Sequence, residues 1–324
     1  MRILLWHVHG SWTTAFVQGS HTYLLPCVPD RGPDGRGRAQ TWTWPASAVD
    51  VPPTELADTE IDVVILQRCR DVELARRWLG GRVPGRDVPV IWLEHNAPQG
   101  RVNDMRHPAA DRGDVTVVHV THTNALFWDT GATRSVVIEH GIVDPGERWT
   151  GDERAAAVVV NEPVRRARVA GTDLLPALGA ALPSDGHLDV FGMGMDELVD
   201  ALGAPSWLRT YENVPQRCLH EEVATRRCYV HPYRWTSLGL ALVEAMHLGM
   251  PVVGLATTDA HDAVPAGCGL LTNDVAALGA TVAHLLDDID HAAELGHAAR
   301  RHALSRYGLG RFLADWDRLL EDIT

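Results

Sequence analysis

Residues 236–253, Thr-Ser-Leu-Gly-Leu-Ala-Leu-Val-Glu-Ala-Met-His-Leu-Gly-Met-Pro-Val-Val, decide the fold of this chain. An apolar helix with one carboxylate is followed by a Gly-Met-Pro break and by valines that are typical of a buried strand. Thr236 and Ser237 offer hydroxyl caps, so the sequence predicts that the helix begins there. The backbone N–H groups of Leu238 to Leu240 would then lie at the positive end of the helix, which suits a phosphate.

Glu244 is the one carboxylate in this apolar segment, about two turns into the predicted helix. A buried carboxylate without a partner is costly, because it loses its hydration and gains nothing in return. Two interpretations therefore stay open. Glu244 meets an arginine, or it faces a cleft and accepts hydrogen bonds from ligand hydroxyl groups.

Short runs rich in valine and isoleucine alternate with helical patterns along the chain, which predicts parallel sheets crossed over by helices. In the first half, strands are predicted at residues 2–7, 63–66, 88–93, 115–120 and 135–138. In the second half, strands are predicted at residues 156–160, 187–191, 208–212, 228–231 and 251–255, with helices that begin at Thr172, Met195 and Val214. Two doubly wound α/β domains follow, with the boundary in the polar stretch 144–154.

Length and charge limit the function classes. The 324 residues suffice for about two domains of ordinary size, and a hydrophobic content of 45% can furnish two cores. A net charge of −13 disfavours nucleic acid as a partner. The chain has no lysine, which points to a GC-rich coding sequence and a bacterial source. Any phosphate clamp must therefore be built from arginine, histidine or backbone N–H groups.

The sequence predicts a cytoplasmic protein without a transmembrane segment, since the apolar runs are short and the N-terminus reads as a first strand. Five scattered cysteines without a C-x-x-C pair predict free thiols. His7 and His9 lie two apart on the predicted first strand, a spacing that metals can use. Because no third ligand is visible, no metal site is predicted. The oligomeric state is not indicated.

Three segments, Leu238-Gly239-Leu240, Glu244-Ala245-Met246 and Gly249-Met250-Pro251-Val252-Val253, resemble the donor-site signature of the retaining glycosyltransferases of family 4. The resemblance implies the GT-B fold, in which two Rossmann-like doubly wound domains face a central cleft. It also implies that Glu244 binds the ribose of a nucleotide. The signature has a further glutamate, which contacts the donor sugar, and this chain has Thr236 at that position.

Further segments extend the resemblance through most of the C-terminal half. Residues 135–144 are similar to the end of the family's first domain, and Phe191-Gly-Met-Gly194 resembles its Gly-any-Gly turn. The implied domains are an acceptor-side domain at residues 1–150, a donor domain at residues 151–305, and a last helix at residues 306–324 that crosses back to the first domain.

The resemblance also implies the remaining site residues. His95 follows a predicted buried strand, where the family has a histidine beside the reacting sugar. The family binds the donor diphosphate with two cations after the first strand of the second domain, where this chain has Asn161-Glu-Pro-Val-Arg-Arg-Ala-Arg168. A solvated basic turn would have the same sequence. The predicted catalytic residues are His95, Arg165 and Arg168, and the predicted donor-binding residues are Gly10, Asn161, Arg166, Thr236, Ser237, Leu238, Gly239, Leu240 and Glu244.

The implied activity is the transfer of a sugar from a nucleoside diphosphate sugar to an acceptor hydroxyl group with retention, without a metal ion or a cofactor. Two alternatives stay open, a sugar-nucleotide epimerase of the same fold and a catalytically silent nucleotide-sugar binding protein, the second suggested by Thr236. A nicotinamide-dependent dehydrogenase is disfavoured, because residues 7–12 lack the pattern G-x-G-x-x-G. The sequence does not name the base, the sugar or the acceptor.

Overall fold

The computed structural model describes residues 1–101 and 103–324, which divide into two compact domains. The first domain contains Met1–Val143 and Gly308–Thr324, and the second contains Asp144–Tyr307. The last helix of the chain therefore belongs to the first domain by its contacts, although it follows the second domain in the sequence.

The first domain is built on a sheet in which every paired strand is parallel to its neighbour, in the order β3-β2-β1-β4-β5-β6-β7. The direction of strand addition reverses between β1 and β4, and in such sheets ligands bind beyond the carboxyl ends of the strands at this point. The strands are β1 (Arg2–Leu5), β2 (Thr22–Pro26), β3 (Ala48–Val51), β4 (Val63–Leu66), β5 (Val90–Glu94), β6 (Thr116–His119) and β7 (Arg134–Val137). The helices are α1 (Gly10–Phe16), α2 (Cys69–Trp78), α3 (His122–Phe127) and, at the end of the chain, α12 (Leu309–Ile323).

The second domain repeats the scheme with a parallel sheet in the order β10-β9-β8-β11-β12-β13. Its reversal point lies between β8 and β11. The strands are β8 (Glu153–Val159), β9 (His187–Gly192), β10 (Leu208–Glu212), β11 (Arg226–His231), β12 (Val252–Gly254) and β13 (Gly269–Leu271). The helices are α4 (Pro163–Ala170), α5 (Leu175–Ala180), α6 (Met195–Leu202), α7 (Gln216–Ala224), α8 (Leu240–Leu248), α9 (Ala260–Ala263), α10 (Val275–Asp287) and α11 (Ile289–Arg306).

These sheets confirm the predicted fold class, two Rossmann-like α/β domains, and all ten predicted strands are present within a few residues. Three short strands, β2, β3 and β13, were not predicted from the sequence. Their sequences, TYLLP, AVDV and GLL, lack the run of valine and isoleucine that marks most of the predicted strands. The prediction that His7 and His9 share a strand was wrong, because β1 ends at Leu5.

The predicted start of the helix at Thr236 was also wrong. Helix α8 begins at Leu240, and its cap residue is Gly239, which makes no side-chain cap. The reason is steric: a Cβ on Gly239 would lie 2.8 Å from Cε1 of His231, at the end of β11. The chain passes close to this ring in an extended conformation at Gly239, and the helix starts only after it.

An aromatic cluster attaches α12 to the first domain. Phe312 and Trp316 lie one turn apart on one face of the helix and are fully buried. The ring of Trp316 packs edge-on against Trp12 and Phe16 of α1, with ring centroids 5.6 and 4.9 Å apart. Gly141 allows the close approach of Phe312, since a Cβ there would lie 2.3 Å from Cβ of Phe312.

Substitution of Trp316 by alanine is expected to lower the free energy of unfolding of the first domain by about 3–5 kcal/mol, because it leaves a large cavity in this cluster. Urea unfolding followed by circular dichroism measures the change. The matched control is Arg318→Ala on the same helix, whose side chain is 75% exposed, and which should change stability by about 0.5 kcal/mol or less. Equal effects of the two substitutions would contradict the assignment of α12 to the core of the first domain.

Candidate functional site

In the first domain, His95 lies directly after β5, next to residues that follow the two central strands. Its Nε2 is 3.0 Å from Oε1 of Gln67, which follows β4. The Nε2 of Gln67 donates to the carbonyl oxygen of Trp6, after β1, at 2.7 Å. This bond fixes the orientation of the amide, so its oxygen faces His95 and accepts. His95 therefore carries its proton on Nε2.

Two further histidines surround His95. The ring of His9 lies 4.0 Å from that of His95 between centroids, and the ring of His140 is nearly parallel to it at 6.3 Å. Burial lowers the pKa of His95 well below its usual range, and it lowers the pKa of His9 to about 4 and of His140 to about 3. Three neutral imidazoles thus stand together at neutral pH. They lie beside the reversal point of the first sheet.

A buried carboxylate–histidine pair supports this loop. Oε2 of Glu94, the last residue of β5, lies 3.2 Å from Nε2 of His107, and Oε1 accepts the N–H of Asn96 at 2.7 Å. The Nδ1 of His107 accepts the N–H of Ala109 at 3.0 Å, so its proton is on Nε2 and is donated to Glu94. These hydrogen bonds hold the backbone at Asn96, directly after His95.

Gly10 begins helix α1, with His9 as the cap residue. A Cβ at Gly10 would lie 3.5 Å from Nε1 of Trp42, which is an ordinary contact. Packing among the described residues does not require a glycine here. The role of Gly10 in donor binding stays a prediction.

In the second domain, Glu244 lies in the middle of α8 and is 7% exposed. Its Oε2 accepts a hydrogen bond from Nε2 of Gln216 at 2.9 Å, and Nε2 of His220 lies 3.3 Å from the same oxygen. Both partners come from α7, which the sequence predicted as a helix but not as part of the site. Gln216 and His220 are four residues apart and so lie on one face of α7.

The start of α8 lies against the buried ring of His231. The N–H of Leu242 bonds to the carbonyl oxygen of Gly239, while those of Leu240 and Ala241 belong to the first turn, which has no acceptor within the helix. His231 is 1% exposed and stacks on Tyr233 at 4.9 Å. Burial lowers the pKa of His231 to about 3. A neutral ring thus adjoins the positive end of the helix.

The three arginines of α4 have different surroundings. Arg165 pairs with Glu162, and Arg168 pairs with Asp173, in exposed ion pairs. Arg166 is half-buried, and its guanidinium lies over the ring of Tyr233, 5.0 Å from the centroid. Stacking holds this cation without neutralising its charge. Of the three, Arg166 is therefore the best prepared to bind an anion.

The loop that leads into α4 has an unusual backbone. Glu162, the residue before α4, has a φ value of 52°, and Ala167, inside α4, has a φ value of 41° and interrupts the helix there; L-residues seldom adopt such values. Asn161, at the start of this loop, accepts the N–H of Met193 at 3.1 Å through Oδ1. Asn161 thereby joins the loop to the Gly192–Gly194 turn. Outlying backbone angles of this kind are frequent at ligand-binding loops.

Sequence reasoning missed four residues that surround His95 and Glu244. They are Gln67 and His140 beside His95, and Gln216 and His220 beside Glu244. Gln67 carried a signal, since it is the polar residue directly after a predicted strand. The four-residue spacing of Gln216 and His220 was a weaker signal, because it does not tell which element the helix face meets. In the described part of the chain, no group of three or more His, Cys, Asp or Glu residues could hold a metal ion. No helix among these residues is long and apolar enough to cross a membrane.

Comparisons with known proteins agree with this geometry. The chain has the fold of sucrose-phosphate synthase from Thermosynechococcus elongatus, with a TM-score of 0.73 at 14% identity over 99% of this chain and 98% of that one. HepE from Anabaena, solved in complex with UDP and glucose, matches with a TM-score of 0.70 at 12% identity over 99% and 100% of the two chains. A glycosyltransferase from Rickettsia africae matches with a TM-score of 0.69 at 12% identity over 99% and 98%. No curated protein matches the chain.

The structural neighbours define the class of protein, an α/β protein of the GT-B fold. In a sequence comparison, residues 166–288 match the family model described as Glycosyl transferases group 1. The matched range begins at Arg166 and contains α8 with Glu244. This part of the second domain is therefore similar to group 1 glycosyltransferases.

The buried histidines predict how stability depends on pH. Below pH 6.5, His9, His119 and His140 bind protons in the unfolded chain, whereas burial lowers their pKa values to about 4, 4 and 3 in the native state. Since the unfolded chain then holds more protons, the free energy of unfolding should fall between pH 6.5 and 5. Urea unfolding at each pH measures the slope.

His119→Leu should reduce this slope, because neither ring nitrogen of His119 has a hydrogen-bond partner among the residues that the structure describes. His261→Leu, at a side chain that is 59% exposed, is the matched control and should leave the slope unchanged. An unchanged slope in His119→Leu would contradict the assigned neutral state.

Proposed function

We propose that the protein is a hexosyl-transferring glycosyltransferase, which moves a sugar from a nucleoside diphosphate sugar to an acceptor hydroxyl group with retention of anomeric configuration. The observation that carries the proposal is the Glu244 carboxylate, buried in an apolar helix inside the segment that matches group 1 glycosyltransferases. A carboxylate is retained in such a place only if it is compensated or used. Binding the two hydroxyl groups of a ribose uses it.

The donor diphosphate is proposed to bind Arg166 and the first turn of α8. Arg166 is a cation held in place by Tyr233, and a guanidinium can donate two parallel hydrogen bonds to phosphate oxygens. The N–H groups of Leu240 and Ala241 add the positive end of a helix. Both features stabilise the negative charge that develops on the leaving diphosphate. These two features support transfer without a metal ion, with the nucleoside diphosphate sugar as a substrate and no separate cofactor.

The remaining predicted residues keep supporting roles in this proposal. His95 contacts the donor sugar as a neutral imidazole. Absence of charge suits it to this role, since a positive imidazolium would oppose the positive charge that develops on the sugar ring during transfer. Arg165 and Arg168, predicted as catalytic residues, already have carboxylate partners and are proposed to shape the loop.

The catalytically silent binding protein stays the second candidate, favoured by Thr236 in place of the family's sugar-contacting glutamate. One experiment separates the candidates. UDP-glucose is the first probe, since Anabaena HepE was solved with that molecule, followed by ADP-, GDP- and other UDP-sugars in a thermal-shift panel. Each nucleotide sugar that binds is then supplied in labelled form and incubated with the protein and acceptor glycosides. Transfer supports the proposal, epimerised donor supports the epimerase, and binding with neither supports the silent protein.

Glu244→Ala is expected to weaken binding of the tightest nucleoside diphosphate in this panel about tenfold or more, because hydrogen bonds to a charged group contribute about 1.5–3 kcal/mol. Isothermal titration calorimetry measures the affinity. Glu221→Ala removes a carboxylate of α7 that is 60% exposed and should leave the affinity unchanged. An unaltered affinity of Glu244→Ala would disprove the assignment to ribose.

Arg166→Ala is expected to weaken binding of the same nucleoside diphosphate about tenfold or more and to leave binding of the free nucleoside unchanged, because only the phosphates contact the guanidinium. The matched control is Arg165→Ala, whose ion pair with Glu162 keeps its charge occupied. The affinity of Arg165→Ala for the nucleoside diphosphate should stay within about twofold of the wild-type affinity. Equal losses in the two variants would show that net charge, not the stacked position, decides binding.

A further inference from the structure

We propose that Gln216 and His220 of helix α7 position the Glu244 carboxylate for ribose, so that these two residues determine the preference of the protein for ribonucleotides. The inference rests on the proposed function, because it assigns a ligand to Glu244. It adds two residues from a helix that sequence reasoning did not place in the site.

The three side chains form a closed triangle of polar atoms. Nε2 of Gln216 lies 2.9 Å from Oε2 of Glu244 and 2.8 Å from Nε2 of His220. Oε2 of Glu244 and Nε2 of His220 are 3.3 Å apart. The side chains of His220 and Glu244 are only 15% and 10% exposed. Water therefore competes little with these contacts.

The positions of the protons follow from the geometry. The amide of Gln216 must turn its nitrogen toward Glu244, since two oxygens would repel. Its second N–H then points to Nε2 of His220, which has to accept and cannot carry a proton. Gln216 is the donor to both neighbours, and His220 holds the amide in the orientation that serves Glu244.

On the α7 side, the carboxylate meets an amide and not a cation. An arginine in the place of Gln216 would pair with both carboxylate oxygens through its two parallel N–H groups. Here α7 instead gives Oε2 one hydrogen bond, from the uncharged amide of Gln216. A carboxylate bound in this way is a strong acceptor for sugar hydroxyl groups. It is also fixed in direction, so less freedom is lost on binding.

The test compares ribose with dideoxyribose in the same protein. Isothermal titration calorimetry measures the binding of ADP, GDP, CDP and UDP and of their 2′,3′-dideoxy analogues to the full chain. For the base that binds best, Gln216→Leu is expected to weaken the ribonucleotide about tenfold and to change the dideoxy analogue less than twofold. His220→Leu should act in the same direction, since the amide then loses its orientation.

His220→Gln is the conservative variant that separates positioning from simple packing. Its side-chain oxygen can stand where Nε2 of His220 stood and accept from Gln216, so it should restore the ribose preference that His220→Leu loses. Arg217→Ala, at an exposed position between the two residues, is the matched control and should leave both affinities unchanged. Thermal melting confirms that each variant is folded. If Gln216→Leu does not fold, Gln216→Glu replaces it, and a second negative charge should also weaken the ribonucleotide.

The outcomes separate this inference from the proposed function. If the wild type binds no nucleoside diphosphate, or binds both sugar forms equally, the ribose assignment itself is wrong. If the wild type prefers ribose and Gln216→Leu keeps that preference, the proposed function stands and the positioning role is overturned. Equal weakening of both sugar forms by His220→Leu and His220→Gln would also overturn it.

Discussion

The cost of burying one carboxylate governs the second domain. Glu244 lies within an apolar helix, and a carboxylate in that place must receive hydrogen bonds or destabilise the fold. In the structure Gln216 of α7 donates to Oε2 of Glu244, and His220 of the same helix accepts from this amide. Helix α7 therefore has to pack beside α8 at one register. The start of α8 is fixed as well, because Gly239 passes against the ring of His231.

Parallel sheets explain why the polar groups gather where they do. In each domain the direction of strand addition reverses once, and the carboxyl ends of the central strands leave backbone groups there for side chains to bind. In the first domain Gln67 bonds to the carbonyl oxygen of Trp6 at this edge and orients His95. In the second domain, Asn161 lies just after β8, and His231 is the last residue of β11. Backbone topology thus brings together residues that are far apart in the sequence.

Sequence reasoning predicted most strands from their valine- and isoleucine-rich runs. It failed where a contact between distant residues sets the start of a helix or the environment of a side chain. The ten predicted strands exist because valine-rich runs bounded by turns have few other solutions. The strands β2, β3 and β13 lack such a run. The start of α8 depended on one close approach to His231, which no local propensity records. Among the arginines of α4, composition could not show that Arg166 stacks on Tyr233 while its neighbours pair with carboxylates.

The sequence by itself determined the class of fold and the likeness of the 236–253 segment to a nucleotide-sugar site, because both depend on residue order along one chain. It also singled out Glu244, a polar residue in an apolar stretch, and the family resemblance singled out His95 after a predicted strand. Only the tertiary structure decided the partners of those residues. The neutral state of His95 follows from burial and from Gln67, and the environment of Glu244 follows from α7. Charge, proton position and hydrogen bonding depend on distances between elements, and those distances exist only in the folded chain.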